Sequence, residues 1–459
     1  MEEKKYLSIW NKLGYGSGEV AGNLFNGLVG NFYLIYLTNT VGLSPGIIAT
    51  LMVISKLFDG VTDVLFGTVI DKTHSKMGKA RPWMFFSQFG VSLCLILLFS
   101  IPDSLAEWMK YAWFFVFYVS INAIFYTANN VSFSSLTALI TKNSEERVQL
   151  GVFRFAFVMI TQLIVSTTGV TLSNRFGWST VALIFAVIAI IVNTISVFSV
   201  KELPEEILLE GAENVEKSQK NEEKLNLWIA IRLLIKNPYY ICMLVMNIMV
   251  YIVAGAMGAA IYYFTYVMGD ENLYSYYMIA MMLPMLLGLA LTPALVKRFG
   301  IYKTNLYGFG AAAVFRGLFI IAGMSGNFPL MLVCIALSNI GAAPLTADGN
   351  ALVAAISDYT YKKEKVRIDG SMFSCTSMGI KVGNALGTGL CGWLLEAGGF
   401  DGTKAVQSQG CLNMLTFMFL WIPFILYVII TVLNYFLKVE KANKELDAQN
   451  AAVSGKSQA

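Results

Sequence analysis

Apolar stretches of about 20 residues or more recur twelve times along this chain, and each is long enough to cross a bilayer as a helix. Hydrophobic residues make up 56% of the sequence and charged residues only 14%, against about 25% charged residues in soluble domains. Backbone groups within lipid must hydrogen-bond to one another, which a helix achieves. The sequence therefore predicts an all-α membrane protein with twelve transmembrane helices, at 15–38, 45–70, 83–101, 110–140, 149–172, 178–199, 237–267, 273–296, 304–323, 328–357, 370–396 and 411–437.

The loops between these spans differ in their content of lysine and arginine. The loops after spans 2, 4, 8 and 10 carry many of these residues, whereas the six opposite loops hold only Lys110, Arg175 and Lys404. Basic loops of membrane proteins remain on the cytoplasmic side. We therefore predict a multi-pass protein of the cytoplasmic (plasma) membrane with both termini in the cytoplasm.

A charged segment without aromatic residues lies between spans 6 and 7 and is typical of a linker. It divides the chain into an N-terminal six-helix half (1–200), a cytoplasmic linker (201–236), a C-terminal six-helix half (237–437) and a cytoplasmic tail (438–459). The two halves are similar to each other, because a basic, glycine-containing turn follows the second span of each half, at the ends of spans 2 and 8. Two such halves are the pattern of the major facilitator fold, which encloses a site at the membrane midplane.

Two aspartates, Asp59 and Asp63, stand one helical turn apart within the second span, with Lys56 on the same helix face. A carboxylate at membrane depth costs about 2.5–3.5 kcal/mol on insertion scales, so a pair of them requires a reason. A bound monovalent cation is one reason, which indicates an ion-coupled transporter. The alternative is an ion pair with Lys56 or Lys381 that only fixes helix packing. A mechanism can use both, because Lys381 can neutralise the site when the cation is absent.

Seven motifs follow one another along nearly the whole chain. They are KLGYGSGEVAGN at 12–23, FDGVTD at 58–63, GKARPW at 78–83, ERVQLGVFR at 146–154, YYFTYVMGD at 262–270, SDYTYKKEKVRIDG at 357–370 and MGIKVG at 378–383. In this order and spacing, the chain resembles the glycoside–pentoside–hexuronide:cation symporter family, whose members include the melibiose permease.

The resemblance implies a bundle that imports a sugar, glycoside or uronide down a cation gradient by alternating access. The cation ligands that it implies are Asp59, Thr62, Asp63 and Thr127. Thr62 replaces an asparagine of the melibiose permease. Lys381 matches the family's coupling lysine, and Lys56 is a second candidate for that role. Oxygen ligands suit Na⁺, whereas a buried carboxylate next to a like charge suits H⁺, so both ions remain open. Asp63 is the expected obligatory carboxylate.

Six polar residues are candidates for holding the substrate, because sugar hydroxyls need hydrogen-bond donors and acceptors. They are Glu19, Asn23, Tyr126, Asn130, Arg154 and Ser377. Arg154 can grip the carboxylate of a uronide through two parallel hydrogen bonds, or it can pair with an acidic residue of the bundle. The aromatic positions of the melibiose permease's sugar site fall on Ser134 and Thr346, so melibiose itself is not the expected substrate.

Other functions remain as alternatives. A lipid or organic-anion carrier can use the same scaffold, and a non-transporting membrane sensor or enzyme is a more distant possibility. The sequence has no phosphate loop, zinc-ligand spacing or nucleophile triad, so we expect no enzyme and no cofactor beyond the co-transported ion. Topology explains the basic loops without a nucleic acid, and a monomer in the lipid bilayer is expected. Asp348 and Arg316 are buried charges with an open role, either a mutual ion pair or a ligand site.

Overall fold

Two compact units make up the protein. The computed structural model describes residues 5–204, 227–364 and 369–456, and at several of these positions, Asp59 and Asp63 among them, it gives the helix but not the side chain. One unit comprises Met1–Glu222, Phe264–Ser275 and Cys391–Cys411, and the other comprises Glu223–Tyr263, Tyr276–Leu390 and Leu412–Ala459. All regular elements in the described ranges are helices, which confirms the predicted all-α class. Most of the predicted linker, residues 205–226, lies outside these ranges.

The first unit is built mainly from the N-terminal helices. These are α1 (Ile9–Gly16), α2 (Gly18–Ile35), α3 (Pro45–Asp71), α4 (Arg81–Leu98), α5 (Glu107–Val119), α6 (Thr127–Ile140), α7 (Ser144–Phe176) and α8 (Trp178–Ser199). A π-helical segment, Ser120–Tyr126, joins α5 to α6, and another, Tyr36–Thr40, extends α2. Helix α2 packs against α7 and α8, α4 packs against α6 and α8, and α3 packs against α6.

Helices of the C-terminal part build most of the second unit. They are α9 (Leu227–Lys236), α10 (Pro238–Gly255), α11 (Gly258–Tyr262), α12 (Leu273–Phe299), α13 (Ile301–Met324), α14 (Phe328–Glu364), α15 (Asp369–Ala397), α16 (Gln409–Thr416), α17 (Ile422–Phe436) and α18 (Val439–Lys456). π-Helical segments follow α11 (Tyr263–Val267) and α16 (Phe417–Trp421). Helix α13 packs against α14 and α17, and α10 packs against α17.

Two late segments of the chain complete the first unit through hydrogen bonds. Asn39 Nδ2 donates to the hydroxyl of Tyr266 at 2.7 Å, in the segment that leads into α12. Ser44 Oγ donates to a carboxylate oxygen of Glu396 at 2.7 Å, near the end of α15. Within the first unit, Tyr266 is therefore bonded to the end of the α2 extension and Glu396 to the residue before α3.

The apolar helices agree with the predicted spans. Among the described residues, nine helical stretches are long and apolar enough to cross a membrane. They coincide with nine of the predicted spans, and the other three, at 15–38, 45–70 and 370–396, are helical as well. These three carry eight of the twelve polar residues predicted to form the site. The protein is thus a multi-pass membrane protein, and the count of twelve spans stays a prediction.

Several helices begin at residues whose side chains bond the first helical turn. Ser8 Oγ accepts a hydrogen bond from the N–H of Asn11 at 3.2 Å, which starts α1. Asn143 Oδ1 accepts one from the N–H of Glu146 at 3.0 Å, which starts α7, and Asn237 caps α10 in the same way. Such caps satisfy N–H groups that have no partner within the helix. The sequence therefore determines locally where these helices start.

Two glutamates hold corresponding helix starts in the two units. Glu202, which follows α8, accepts hydrogen bonds from the three successive backbone N–H groups of residues 79–81 at 2.7, 2.9 and 3.0 Å. Glu440, in α18, accepts them from residues 301 and 302 at 3.4 and 3.2 Å. A carboxylate is stabilised at a helix N-terminus by the unpaired N–H groups and the helix dipole. The two basic turns, which were predicted to correspond, therefore share a further feature: a glutamate binds the start of the helix that follows each turn.

We predict that Glu202→Ala and Glu440→Ala each destabilise the protein by about 1 kcal/mol, because each change leaves helix N–H groups without their anionic acceptor. The measurement is the unfolding temperature of the purified protein in detergent. Asp103→Ala is the control, since Asp103 is exposed in the loop between α4 and α5. Equal unfolding temperatures for all three variants would contradict the capping role.

Candidate functional site

A polar stripe runs along one face of α2. It consists of Glu19, Asn23, Asn26 and Gly30, whose spacing of three or four residues places them on one side of the helix. Asn26 and Gly30 are exposed, and a Cβ atom at Gly30 would meet no atom within 4 Å. An exposed amide on a membrane helix is costly against lipid, so this face is expected to border water or a polar ligand.

An ion pair between α2 and α7 is the strongest polar contact of this stripe. Arg154 donates from Nε to Glu19 Oε1 at 2.7 Å, and its second nitrogen lies 2.6 Å from the same oxygen. Asn23 Nδ2 donates to the other carboxylate oxygen at 3.3 Å. The Arg154 guanidinium also lies over the ring of Phe133, with 4.4 Å between its Cζ and the ring centroid. Of the two roles predicted for Arg154, the contacts fit the pair with an acidic residue.

The π-helical segment before α6 brings further predicted residues to the same side of the first unit. The hydroxyl of Tyr126 accepts a hydrogen bond from Asn26 Nδ2 at 2.7 Å, and its ring packs against Phe25. Thr127 is buried and donates its hydroxyl proton to a backbone carbonyl, so its oxygen lone pairs can still accept or coordinate. Asn130, one turn beyond Tyr126, is exposed. Glu19, Asn23 and Arg154 thus form one hydrogen-bonded set, and Tyr126 bonds separately to Asn26, two turns further along α2 from Glu19.

The predicted cation site lies on α3. This helix is continuous from Pro45 to Asp71, so positions 59 and 63 are one turn apart, but the side chains of Asp59 and Asp63 lie outside the described part. Thr62 is partly exposed and donates its hydroxyl to the carbonyl of Phe58 at 3.1 Å. Lys56 is also partly exposed. Because α3 packs against α6, which begins at Thr127, the backbone places the four predicted ligands on two neighbouring helices.

The remaining predicted residues belong to the second unit. On α15, Lys381 is partly buried and Ser377 is exposed. Asp348 does not pair with Arg316: its two carboxylate oxygens each accept a hydrogen bond from Asn305 Nδ2 at 2.9 Å. Arg316 is buried among aromatic rings instead. The predicted alternative of a mutual ion pair between these two charges was wrong, because the register between α13 and α14 gives Asp348 a neutral amide partner.

One buried ion pair was not predicted from the sequence. Lys12 Nζ lies 3.4 Å from Glu146 Oε1, and both residues are almost fully buried. Glu146 also accepts hydrogen bonds from the backbone N–H groups of Tyr6 and Leu7. Two of the quoted motifs begin with these residues, at 12–23 and 146–154. The signal was therefore present in the sequence: Lys12 and Glu19, seven residues apart, match Glu146 and Arg154, eight residues apart and of opposite charge.

Comparisons with known proteins agree with this architecture. A family model described as MFS/sugar transport protein matches residues 14–441. The isoprimeverose transporter of Lactiplantibacillus pentosus is 27% identical, over 96% of this chain and 91% of the relative. The glucuronide carrier protein homolog of Escherichia coli (strain K12) is 24% identical, over 84% of this chain and 83% of the relative.

The structural likeness concerns the fold. The crystal structure of a D-xylose-proton symporter matches with a TM-score of 0.61 at 13% sequence identity, over 93% of this chain and 96% of that chain. Together with the family match, this confirms the major facilitator fold predicted from the two halves and their basic turns.

We predict that Glu19→Gln destabilises the protein by about 1–3 kcal/mol, because it leaves the largely buried guanidinium of Arg154 without its counter-charge. The two side chains are 15% and 22% exposed. The double variant Glu19→Gln/Arg154→Gln is expected to be more stable than the sum of the single changes implies. Unfolding temperatures of the four proteins give this comparison.

Asp447→Asn is the matched control, because its pair with Lys362 has the same charges but a carboxylate that is 60% exposed. Its expected cost is below about 0.5 kcal/mol. If Glu19→Gln destabilises the protein no more than Asp447→Asn does, the pair has no structural role.

Proposed function

The chain belongs to the MFS/sugar transport protein family and is a transporter, not an enzyme, and we propose that it imports a sugar, glycoside or uronide together with Na⁺ or H⁺. The predicted membership of the glycoside–pentoside–hexuronide:cation symporters is confirmed by this match. The observation that carries the substrate class is the row of polar residues on α2, Glu19, Asn23 and Asn26, together with their partners Arg154 and Tyr126 in the first unit.

The polar set suits a sugar because it offers both donors and acceptors on membrane helices. Glu19 accepts, the amides of Asn23 and Asn26 donate and accept, and the Tyr126 hydroxyl can do both. A lipid tail could not use the donor and acceptor positions that these groups have left after bonding to one another, whereas the hydroxyl groups of a sugar could. The names of the relatives support the same class, since one is called an isoprimeverose transporter and another a glucuronide carrier homolog.

Cation coupling is proposed at Asp59, Thr62, Asp63 and Thr127. Two aspartate positions one turn apart on α3, a helix that contacts α6, favour a site that gathers several oxygens around one small cation. A cation bound there lies on helices that contact each other within the first unit, where the sugar-binding set is also located. Binding of the cation can thus order the sugar site, and Lys381 is proposed to replace the cation when it leaves.

The proposed cycle places the protein in the cytoplasmic membrane as a monomer, with both termini and the basic loops in the cytoplasm. The co-transported ion is its only proposed cofactor. The cation binds before the sugar, and both leave towards the cytoplasm after the transporter changes from an outward-facing to an inward-facing state.

We predict that Asp63→Asn abolishes sugar accumulation driven by an imposed gradient while downhill exchange persists, because the neutral amide cannot hold the cation. The measurement is uptake of labelled glycosides and uronides into vesicles with imposed Na⁺ or H⁺ gradients. Wild type should reach an accumulation ratio well above one, and the variant a ratio of about one. Asp103→Asn is the matched control, since it makes the same chemical change in an exposed loop.

Accumulation by Asp63→Asn equal to that of wild type would disprove the proposed cation site. Absence of any sugar uptake by wild type would overturn the substrate class and favour a lipid or organic-anion carrier on this scaffold.

A further inference from the structure

The second unit contains a cavity of about 330 Å³, enclosed by α10, α12, α13, α14 and α17. Its volume lies within the usual range of small-molecule sites, at the small end. Polar residues of several helices contribute to its wall, among them Asn247, Tyr277, Arg316, Thr346, Asn350 and Tyr427, and its apolar side chains include several methionines. None of these residues belongs to the site proposed above.

Arg316 is the charged residue of this wall. It is only 3% exposed, and its Nε has no hydrogen-bond partner in the described part of the protein. Its Cζ lies 5.1 Å from the ring centroid of Tyr427 and 5.8 Å from that of Phe319. Tyr277 and Tyr427, whose hydroxyl groups are neutral, line the same cavity. Aromatic faces and neutral hydroxyls stabilise a cation only partly, and they leave its charge in place.

No carboxylate offsets this charge among the described residues that line the cavity. Asp348, the buried acid of α14, is held by Asn305 and is not part of the wall. A second buried donor in the wall, Asn247 Nδ2, also lacks a hydrogen-bond partner among the described side chains. Burying a cation and a donor without partners is costly, and an anion in the cavity would compensate for both.

The contrast with Arg154 sharpens this assignment. The guanidinium of Arg154 is already engaged by the carboxylate of Glu19 at 2.6 and 2.7 Å, so the pair has no net charge to offer an acidic ligand. Arg316 has a planar, permanently charged fork and no acidic partner in the cavity wall. A carboxylate can bind such a fork through two parallel hydrogen bonds.

We propose that Arg316 and Asn247 bind the carboxylate of an acidic sugar, with the remainder of that ligand in the cavity of α10, α12, α13, α14 and α17. This is a second sugar site, separate from the polar residues of the first unit, and the inference rests on the proposed function because its ligand, a uronide, belongs to the proposed substrate class. Thr346 and Asn350 border the same cavity and supply polar contacts for the hydroxyl groups of the ring.

The test compares ligands that differ only in the acidic group. Calorimetry on the purified full-length protein measures the affinity for methyl glucuronide against methyl glucoside, and for methyl galacturonide against methyl galactoside, in both anomers. Wild type is expected to bind at least one uronide about tenfold or more tightly than its neutral counterpart. Arg316→Gln should lower the affinity for that uronide by about tenfold or more and change the affinity for the neutral sugar by less than about threefold. The uronide affinity of Arg316→Lys should lie between those of wild type and Arg316→Gln.

Arg298→Gln is the matched control, because it makes the same change at an exposed arginine at the end of α12 and should alter neither affinity. If wild type binds the neutral member of every pair as tightly as the uronide, the inference is wrong while sugar transport stands, and this result needs no folded variant. A uronide preference that persists in Arg316→Gln also overturns it. If no sugar of either class binds, the proposed function fails as well.

Discussion

The ion pair between Glu19 and Arg154 is the contact on which the polar part of the first unit depends. It joins α2 to α7, holds Asn23 through the second carboxylate oxygen and places the guanidinium over Phe133. Two turns away, Lys12 and Glu146 make a second pair between the same stretches of chain. Charges buried in a membrane protein must be compensated internally, so these pairs fix the register between the helices. The two pairs therefore also hold the exposed stripe of α2 in position.

Buried charged residues have different kinds of partner in the two units. In the first unit, each buried arginine or lysine described here has a carboxylate partner. In the second, Asp348 has an amide partner and Arg316 has aromatic ones, so an acid and a base lie buried on neighbouring helices without pairing. A buried charge without a counter-charge is costly, and a ligand of opposite charge can compensate for it. A buried charge that is already paired instead stabilises the contact between two helices. The difference between Arg154 and Arg316 follows from their partners alone.

Much of the fold could be predicted from the sequence, because hydrophobic length determines a membrane helix locally. The spans, the all-α class and the echo of the basic turns required no tertiary information. Pairings between distant helices were harder. Glu19 and Arg154 were both predicted as site residues, yet their mutual contact joins positions 135 residues apart. The partner of Asp348 depends on the close approach of α13 and α14, where a Cβ atom at Gly308 would collide with the carbonyl of Gly341. A register set by such backbone contact cannot be inferred from residue spacing.

The central claim is that cation and sugar bind in a coupled manner, and coupling is reciprocal. The most direct measurement is therefore the affinity of purified wild-type protein for its best sugar, with Na⁺ present or replaced by choline and at two pH values, and the affinity for the cation with and without that sugar. The account predicts that one cation raises sugar affinity by about fivefold or more, and that the sugar raises affinity for that cation by the same factor. Sugar affinity that is unchanged by both Na⁺ and pH would contradict it.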